Sequence, residues 1–412
     1  MRTSSRAIGL SAIFVLVAVG SGSCSSSDGR SSSSQPPVGG DAVAADAPPP
    51  AAPSSNAPQQ PTPNAPPAAT TLYPPLFVGR FDTRDPAGPK ASWPGTRVLA
   101  RFDGTAVSVK LKEHAETWME GAPSYWEYTI DKGPWKAMAM IADEQPHDFV
   151  LASDLAPGPH EVEIYKRSET QTGITQFLGF DFHGGKSLPA PARQARKIEV
   201  MGDSFATGFG VENIDSPDTD CPGADWGGVW ENFRKTWGAI LGTTFDAEVH
   251  GIVYSGKGLL YNVWPADNDP LRDYYPRADP NPEIANNDPP LFDLKSWIPD
   301  VIVMTQGSCD DGSQAFRTAY RDFVINRLRA RGPSTHIFMG IVSAGNRDGV
   351  WSVAQSIIAE RAAVGDDKMH AFLAKPFTWE EVTACNGHGT PAWHQRVAAE
   401  IAAEIRAKVG WN

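Results

Sequence analysis

Two residues stand out for what their types and positions could do together: a serine directly after a short strand, and a histidine in a glycine-bounded loop near the end of the chain. Lys197-Ile198-Glu199-Val200-Met201 reads as a strand and runs straight into Gly202-Asp203-Ser204-Phe205-Ala206-Thr207-Gly208. A serine there can present its hydroxyl to a substrate while its backbone N–H faces a developing oxyanion. A phosphate-type loop or simple helix capping is the competing reading, and Gly-Asp-Ser after a strand favours the nucleophile. A serine is a weak nucleophile until a base takes its proton. The nine histidines lie at positions 114, 147, 160, 183, 250, 336, 370, 388 and 394. The first four fall in a strand-rich region, His250 and His336 within or at strands, and His394 on a helix, where structural roles are commoner. His388 sits in the loop Cys385-Asn386-Gly387-His388-Gly389-Thr390-Pro391 before the last helix, and is the candidate base.

Two further loops could complete such a site. Tyr254-Ser255-Gly256-Lys257-Gly258 follows a second strand, and its glycines permit close approach of backbone to ligand. A third strand ends in Gln306-Gly307-Ser308-Cys309-Asp310-Asp311.

The elements that must position these loops alternate between strand and helix. Strands are predicted at 197–201, 249–254, 300–305 and 336–342, and helices at 230–241, 315–331 and 392–409. That alternation specifies a parallel sheet flanked by helices, a three-layer α/β/α arrangement whose ligands bind beyond the strand C-terminal ends. The preceding residues differ. Ala106-Val107-Ser108-Val109-Lys110-Leu111 alternates apolar and polar, and Tyr125-Trp126-Glu127-Tyr128-Thr129-Ile130 and His160-Glu161-Val162-Glu163-Ile164-Tyr165 do so between turn signals. They predict an antiparallel β-sandwich of jelly-roll type. The expected division is a signal segment at 1–24, a disordered Ser/Pro/Ala-rich linker at 25–71, the sandwich at 72–190 and the α/β domain at 191–412.

The first residues read as an export signal. A basic start precedes an apolar run at 7–20 that is too short to span a bilayer, and Ser21-Gly22-Ser23 leads into Cys24 as at a bacterial lipoprotein cleavage site. Ser21 replaces the usual leucine, so the site is degenerate. Lipidation of Cys24 would make the following low-complexity stretch a tether, and membrane contact would come only through that anchor. With 36 Lys and Arg against 48 Asp and Glu the net charge is −12, and no basic footprint suits nucleic acid. Export implies that Cys221, Cys309 and Cys385 include a disulfide with one cysteine left over. No CxxC or HxxxH spacing suggests a metal site.

The order Gly-Asp-Ser, Ser-Gly-Lys-Gly, Gly-Ser-Cys-Asp and Cys-Asn-Gly-His resembles the four blocks of SGNH/GDSL hydrolases. More closely, the chain resembles the family 2 carbohydrate esterases, in which a β-sandwich precedes the SGNH domain. The resemblance spans about residues 76–405 and includes Gly79-Arg80-Phe81-Asp82, Trp93-Pro94-Gly95, Arg101-Phe102-Asp103-Gly104, Lys166-Arg167-Ser168-Glu169 and Glu231-Asn232. It implies removal of acetyl groups from polysaccharide sugars without metal or cofactor. Ser204 matches the nucleophile, His388 the general base and Gly256 an oxyanion glycine, with the Ser204 amide beside it. Cys221 and Cys385 match positions that look paired in relatives. Two departures matter. Cys309 stands where the family has an oxyanion asparagine, and a thiol is a weak donor; losing one such donor typically costs about 100–1000-fold in rate. Asn386 stands where an orienting acid lies when relatives have one. Asn386 could orient the imidazole, a backbone carbonyl could hold it as in dyad relatives, or Asp310 or Asp311 could compensate. Tyr254, Trp264, Trp297 and Trp393 are sugar-stacking candidates, against the plain reading of core aromatics. A carbohydrate-binding module with an inert site, or a GDSL lipase, are the alternatives; the polar loops at 267–288 speak against an acyl groove.

Overall fold

A computed structural model describes residues 72–114, 123–214, 221, 228–263, 267–280 and 289–412. The signal segment, the linker, Cys24 and Trp264 lie outside the described residues. The first half forms strands β1 (Leu76–Val78), β2 (Lys90–Ala91), β3 (Arg97–Gly104), β4 (Val107–His114), β5 (Tyr125–Ile130), β6 (Lys136–Ala139), β7 (Pro146–Ala152), β8 (Gly158–Lys166), β9 (Ile174–Asp181) and β10 (Lys186–Leu188). They pair antiparallel in two sheets, ordered β1-β3-β8-β5-β6 with β10 also on β3, and β2-β9-β4-β7. Alternation sets the inner faces: Val98, Ala100 and Phe102 of β3 and Val162 and Ile164 of β8 meet Val107, Val109 and Leu111 of β4 in one core.

Beyond it, β11 (Arg196–Gly202), β12 (Ala247–Val253), β13 (Val301–Met304), β14 (His336–Ile341) and β15 (Met369–Leu373) form a parallel sheet ordered β12-β11-β13-β14-β15. The helices are α1 (Ser204–Thr207), α2 (Trp237–Phe245), α3 (Leu271–Tyr274), α4 (Gln314–Asp322), α5 (Arg347–Ala362) and α6 (Pro391–Val409). Successive strand residues feed opposite layers. Ile302 and Met304 pack with Phe316 and Tyr320 of α4 and Val350 and Ile357 of α5. Val301 and Val303 pack with Trp237 and Leu241 of α2 and Val397 and Ile401 of α6. Burying each such aliphatic side chain contributes about 1.5–3 kcal/mol, so the sheet is a rigid frame.

Two helices of the α/β domain differ from the sequence pattern, and the short α1 and α3, the longer α5 and strand β15 are not in it. The helix predicted at 230–241 starts only at Trp237, because Asn232 first caps a 3₁₀ turn at Phe233–Lys235 and Thr236 then caps α2. The helix predicted at 315–331 divides into α4, a π-helical turn at Phe323–Leu328 and a 3₁₀ turn at Arg329–Arg331. α5 and β15 complete the sheet beyond β14.

Chain order makes β11 the turning point of the sheet. The chain leaves β11 for β12 on one side and later adds β13, β14 and β15 on the other. The crevice beyond a strand so placed is where open α/β sheets bind ligands. The sandwich docks close by: the buried Arg80 reaches Glu199 of β11 at 3.0 Å and also bonds the Tyr275 carbonyl, while Trp93 packs against Tyr274 at 5.9 Å between centroids.

Candidate active site

β11 ends at Gly202, where a Cβ would collide with Ala206 and the Thr305 hydroxyl, so only glycine lets the chain turn this sharply. Asp203 caps α1 by accepting the Phe205 N–H at 3.1 Å, which leaves Ser204 at the head of the helix. The first N–H groups of a helix have no intrahelical partner, so the Ser204 amide is available to an anion. Ser204 is largely buried, just beyond the C-terminal end of β11.

The partner arrives from the other end of the chain. His388 Nε2 lies 2.8 Å from Ser204 Oγ, and its Nδ1 lies 2.8 Å from the Cys385 carbonyl. A carbonyl can only accept, so Nδ1 carries the proton and Nε2 presents its lone pair to the serine hydroxyl, the tautomer a general base requires. The ring sits between Phe205 and Phe209, at 5.0 and 4.8 Å between centroids. Burial lowers the imidazole pKa to about 4, against the opposing pull of the Cys385 carbonyl, so the ring is neutral at ordinary pH. Cys385 is joined to Cys221 by a disulfide, and Gly210 packs so tightly on Cys385 that a Cβ there would lie 2.9 Å from it. The residue that orients the histidine is therefore itself pinned.

The other two loops meet the Ser204 turn at the same edge. Tyr254 N–H donates to the Gly202 carbonyl at 3.2 Å, carrying the β11–β12 pairing into the site. Gly256 has φ +73°, and its carbonyl accepts the Val263 N–H at 2.8 Å. On the third loop, the Ser308 hydroxyl donates to the Asp203 carboxylate, and Asp310 accepts the N–H groups of Leu259 and Leu260 at 2.9 Å and of Tyr261 at 3.0 Å. Cys309 is thus held between two residues that each tie one loop to another. Burial pushes the Asp203 pKa up to about 6 although the Ser308 hydroxyl and the Phe205 amide stabilise its anion. A serine hydroxyl at a helix N-terminus and a histidine carrying its proton on Nδ1 are parts that acyl transfer through a serine ester would use.

Comparison with known proteins shows the family. Residues 77–191 match the family described as "Carbohydrate esterase 2 N-terminal". A family two carbohydrate esterase from Clostridium thermocellum, solved in complex with cellohexaose, shares 30% identity and a TM-score of 0.72, with 82% of this chain and 100% of that one aligned. The chain belongs to the family 2 carbohydrate esterases. Cellulase/esterase CelE of Acetivibrio thermocellus is 31% identical over 349 residues, covering 82% of this chain and 40% of that protein. An acetylxylan esterase / glucomannan deacetylase of Cellvibrio japonicus is 30% identical over 256 residues, covering 60% of this chain and 63% of that protein. The chain thus spans less than two thirds of the length of either curated relative.

Within this family fold several sequence expectations need correction. Asn386, with φ +53°, turns the backbone so that the Cys385 carbonyl faces Nδ1, and its own backbone adds a second hydrogen-bonding contact to the imidazole. Asp310 does not reach the histidine, its carboxylate being committed to the 259–261 amides. Tyr254, Trp297 and Trp393 are buried and cannot stack on a sugar. Tyr254 lies 6.0 Å from Tyr274 between centroids, Trp297 stacks on His250 at 3.5 Å, and Trp393 packs under Phe205. Cys309 is the cysteine left over beside the Cys221–Cys385 disulfide, and it is partly exposed. His394 accepts the Trp237 N–H at 3.3 Å, a structural role. Asp203 and the Ser308 hydroxyl went unremarked in the sequence, although their place in the serine and cysteine blocks marked both as neighbours of the site.

Proposed function

We propose that this chain is a serine esterase that hydrolyses O-acetyl groups from polysaccharides or oligosaccharides. The observation that carries the reading is the 2.8 Å approach of His388 Nε2 to Ser204 Oγ at the turning point of the sheet, with Nδ1 committed to a carbonyl. Ser204 Oγ attacks the acetyl carbonyl carbon while His388 Nε2 takes the hydroxyl proton. The oxyanion faces the Ser204 and Gly256 amides, with the Cys309 thiol in place of a stronger third donor. Collapse breaks the bond from carbonyl carbon to sugar oxygen, and Nε2 returns its proton to that oxygen. Water then attacks the acetyl-serine, again giving its proton to Nε2, and acetate leaves as Ser204 recovers its hydrogen. On its Nδ1 side the imidazolium formed on the way is stabilised by backbone, the Cys385 carbonyl with a contribution from Asn386.

The names of the relatives, cellulase/esterase and acetylxylan esterase / glucomannan deacetylase, support acetylated plant-type polysaccharide as substrate. The basic start, short apolar run and Cys24 support an exported protein held by a lipid anchor, with residues 25–71 as tether. The weak donor at Cys309 favours one second reading, a carbohydrate-gripping protein with little turnover. Acetate release from acetylated xylan, acetylated glucomannan and simple acetylated sugars, beside Ser204→Ala, tests both. Release by the native protein alone is the expected result; equal background from both proteins would remove the esterase reading and leave the binding one.

A further inference from the structure

The polar run Arg167-Ser168-Glu169-Thr170-Gln171-Thr172, which leaves β8 of the sandwich, is buried throughout. Glu169 is fully buried, and an uncompensated carboxylate in such a place is costly. Its carboxyl accepts the Ser255 N–H at 2.7 Å and also bonds the Ser255 hydroxyl. The Ser255 hydroxyl lies 3.3 Å from Thr207 Oγ1, which donates to the Ser204 carbonyl at 3.1 Å. A continuous hydrogen-bonded line therefore runs from the sandwich, through the residue before Gly256, to the nucleophile turn.

The surroundings of Glu169 are not those of a structural ion pair. Its neighbour is Glu231, also fully buried, which accepts the Glu169 N–H at 2.8 Å. The nearby cations are directed elsewhere: Lys166 Nζ donates to the Ser168 and Glu169 carbonyls at 3.1 Å, and Arg167 donates to the Glu231 carbonyl at 2.7 Å and the Val229 carbonyl at 2.8 Å. Burial, then the charge of Glu231, holds the Glu169 carboxyl well above the usual carboxylate range, which favours a proton shared within the pair. Two carboxyls sharing one proton keep the cluster near neutral and let Glu169 remain in place without a cation.

We propose that Glu169 is a positioning residue for the hydrolysis, fixing the Ser255–Gly256 turn so that the Gly256 amide meets the oxyanion; the sandwich thereby contributes part of the active site. This rests on the esterase reading above. The test is steady-state hydrolysis of 4-nitrophenyl acetate, a substrate with no sugar to bind, by native protein, Ser204→Ala, Glu169→Ala, Glu169→Gln and Ser255→Ala, with thermal unfolding of each. Glu169→Ala should lower kcat about 10–100-fold with little change in KM, approaching the effect of a lost oxyanion donor. Glu169→Gln keeps an acceptor for the Ser255 amide and should recover most of kcat, while removing the alkaline fall in kcat that follows loss of the shared proton. Ser255→Ala retains its N–H bond and should lose about fivefold, the effect of one hydrogen bond. If Glu169→Ala does not fold, the pH profile of Glu169→Gln and the kcat of Ser255→Ala decide. Native kcat in a folded Glu169→Ala protein, or an unchanged alkaline limb in Glu169→Gln with native kcat in Ser255→Ala, would overturn the proposal. Native protein no faster than Ser204→Ala would instead overturn the esterase reading beneath it.

Discussion

Glu199 and Glu169 are both fully buried where the sandwich meets the parallel sheet, yet their surroundings are opposite. Glu199 lies between two guanidiniums, Arg80 at 3.0 Å and Arg331 at 3.0 Å, with the Tyr275 hydroxyl at 2.7 Å. Burial pushes its pKa up, but Arg331 and Arg80 outweigh burial and hold it below the usual value. Glu169 has a second carboxyl for a neighbour, and burial and that charge both push it up. The difference teaches where each cluster acts. The paired cluster, on β11 away from Ser204, is a rivet between the two halves of the molecule. The other lies against the Ser255–Gly256 turn, where a carboxyl pushed toward its protonated form can hold an amide while carrying less negative charge, as the proposal above requires.

The harshest way to break this comparison is to unpair the rivet. Arg80→Met leaves a buried carboxylate short of one partner and should cost about 3–5 kcal/mol in urea unfolding, with kcat of the folded protein little changed. A comparable fall in kcat would mean the two clusters do not differ in function.

The clusters should also respond to pH with opposite sign. The stability Glu199 contributes is complete above the ordinary glutamate pKa and is lost as pH falls through its lowered folded value. That of Glu169 is complete below the ordinary value and is lost as pH rises through its raised folded value. Urea midpoints measured from about pH 3 to pH 9 should show slopes of up to about 1.4 kcal/mol per pH unit. Glu199→Gln should flatten the acid side and Glu169→Gln the alkaline side; a flattening on the same side in both would contradict the contrast. His388 supplies an internal reference. Its folded pKa of about 4 lies below that of a free imidazole, so its contribution is complete above the unfolded value and is lost as pH falls toward 4. In kinetics, kcat/KM should hold until the approach to that pKa and then fall; a limb centred on the ordinary histidine value would show the ring to be more solvated than its place between Phe205 and Phe209 implies. The smallest effect is expected for Glu231→Gln, which relieves carboxyl repulsion and keeps an acceptor for the Glu169 amide: a change within about 1 kcal/mol in unfolding free energy, and a kcat close to native.

Ser204 and His388 were legible because each stands beside glycine in a loop joined to a regular element, and such loops gather at one edge of a parallel sheet. The alternation of β3, β4, β5 and β8 announced the sandwich for an equally local reason. What sequence hid depends on contacts far apart in the chain. α5 begins at Asn346, which is left-handed and makes no side-chain cap, and of its sixteen residues only Gly349, Val350, Val353, Ala354 and Ile357 are buried, so its apolar stripe is thin. β15 is short, and two of its five residues are histidine and alanine. The run from Arg167 to Thr172 reads as a surface loop, because its hydrogen-bond partners Val229, Glu231 and Ser255 lie more than sixty positions away. Tyr254, Trp297 and Trp393 erred the other way: aromatic residues near motifs suggest sugar platforms, but here all three are buried in the packing of the α/β domain.

The most direct test of the central claim is to trap the covalent intermediate. Native protein turning over an acetylated carbohydrate, quenched in acid and peptide-mapped by mass spectrometry, should carry one acetyl group on the peptide containing Ser204, lost on dilution before the quench and absent from Ser204→Ala. Steady acetate release with no acetyl on that peptide, or release undiminished in Ser204→Ala, would contradict the account.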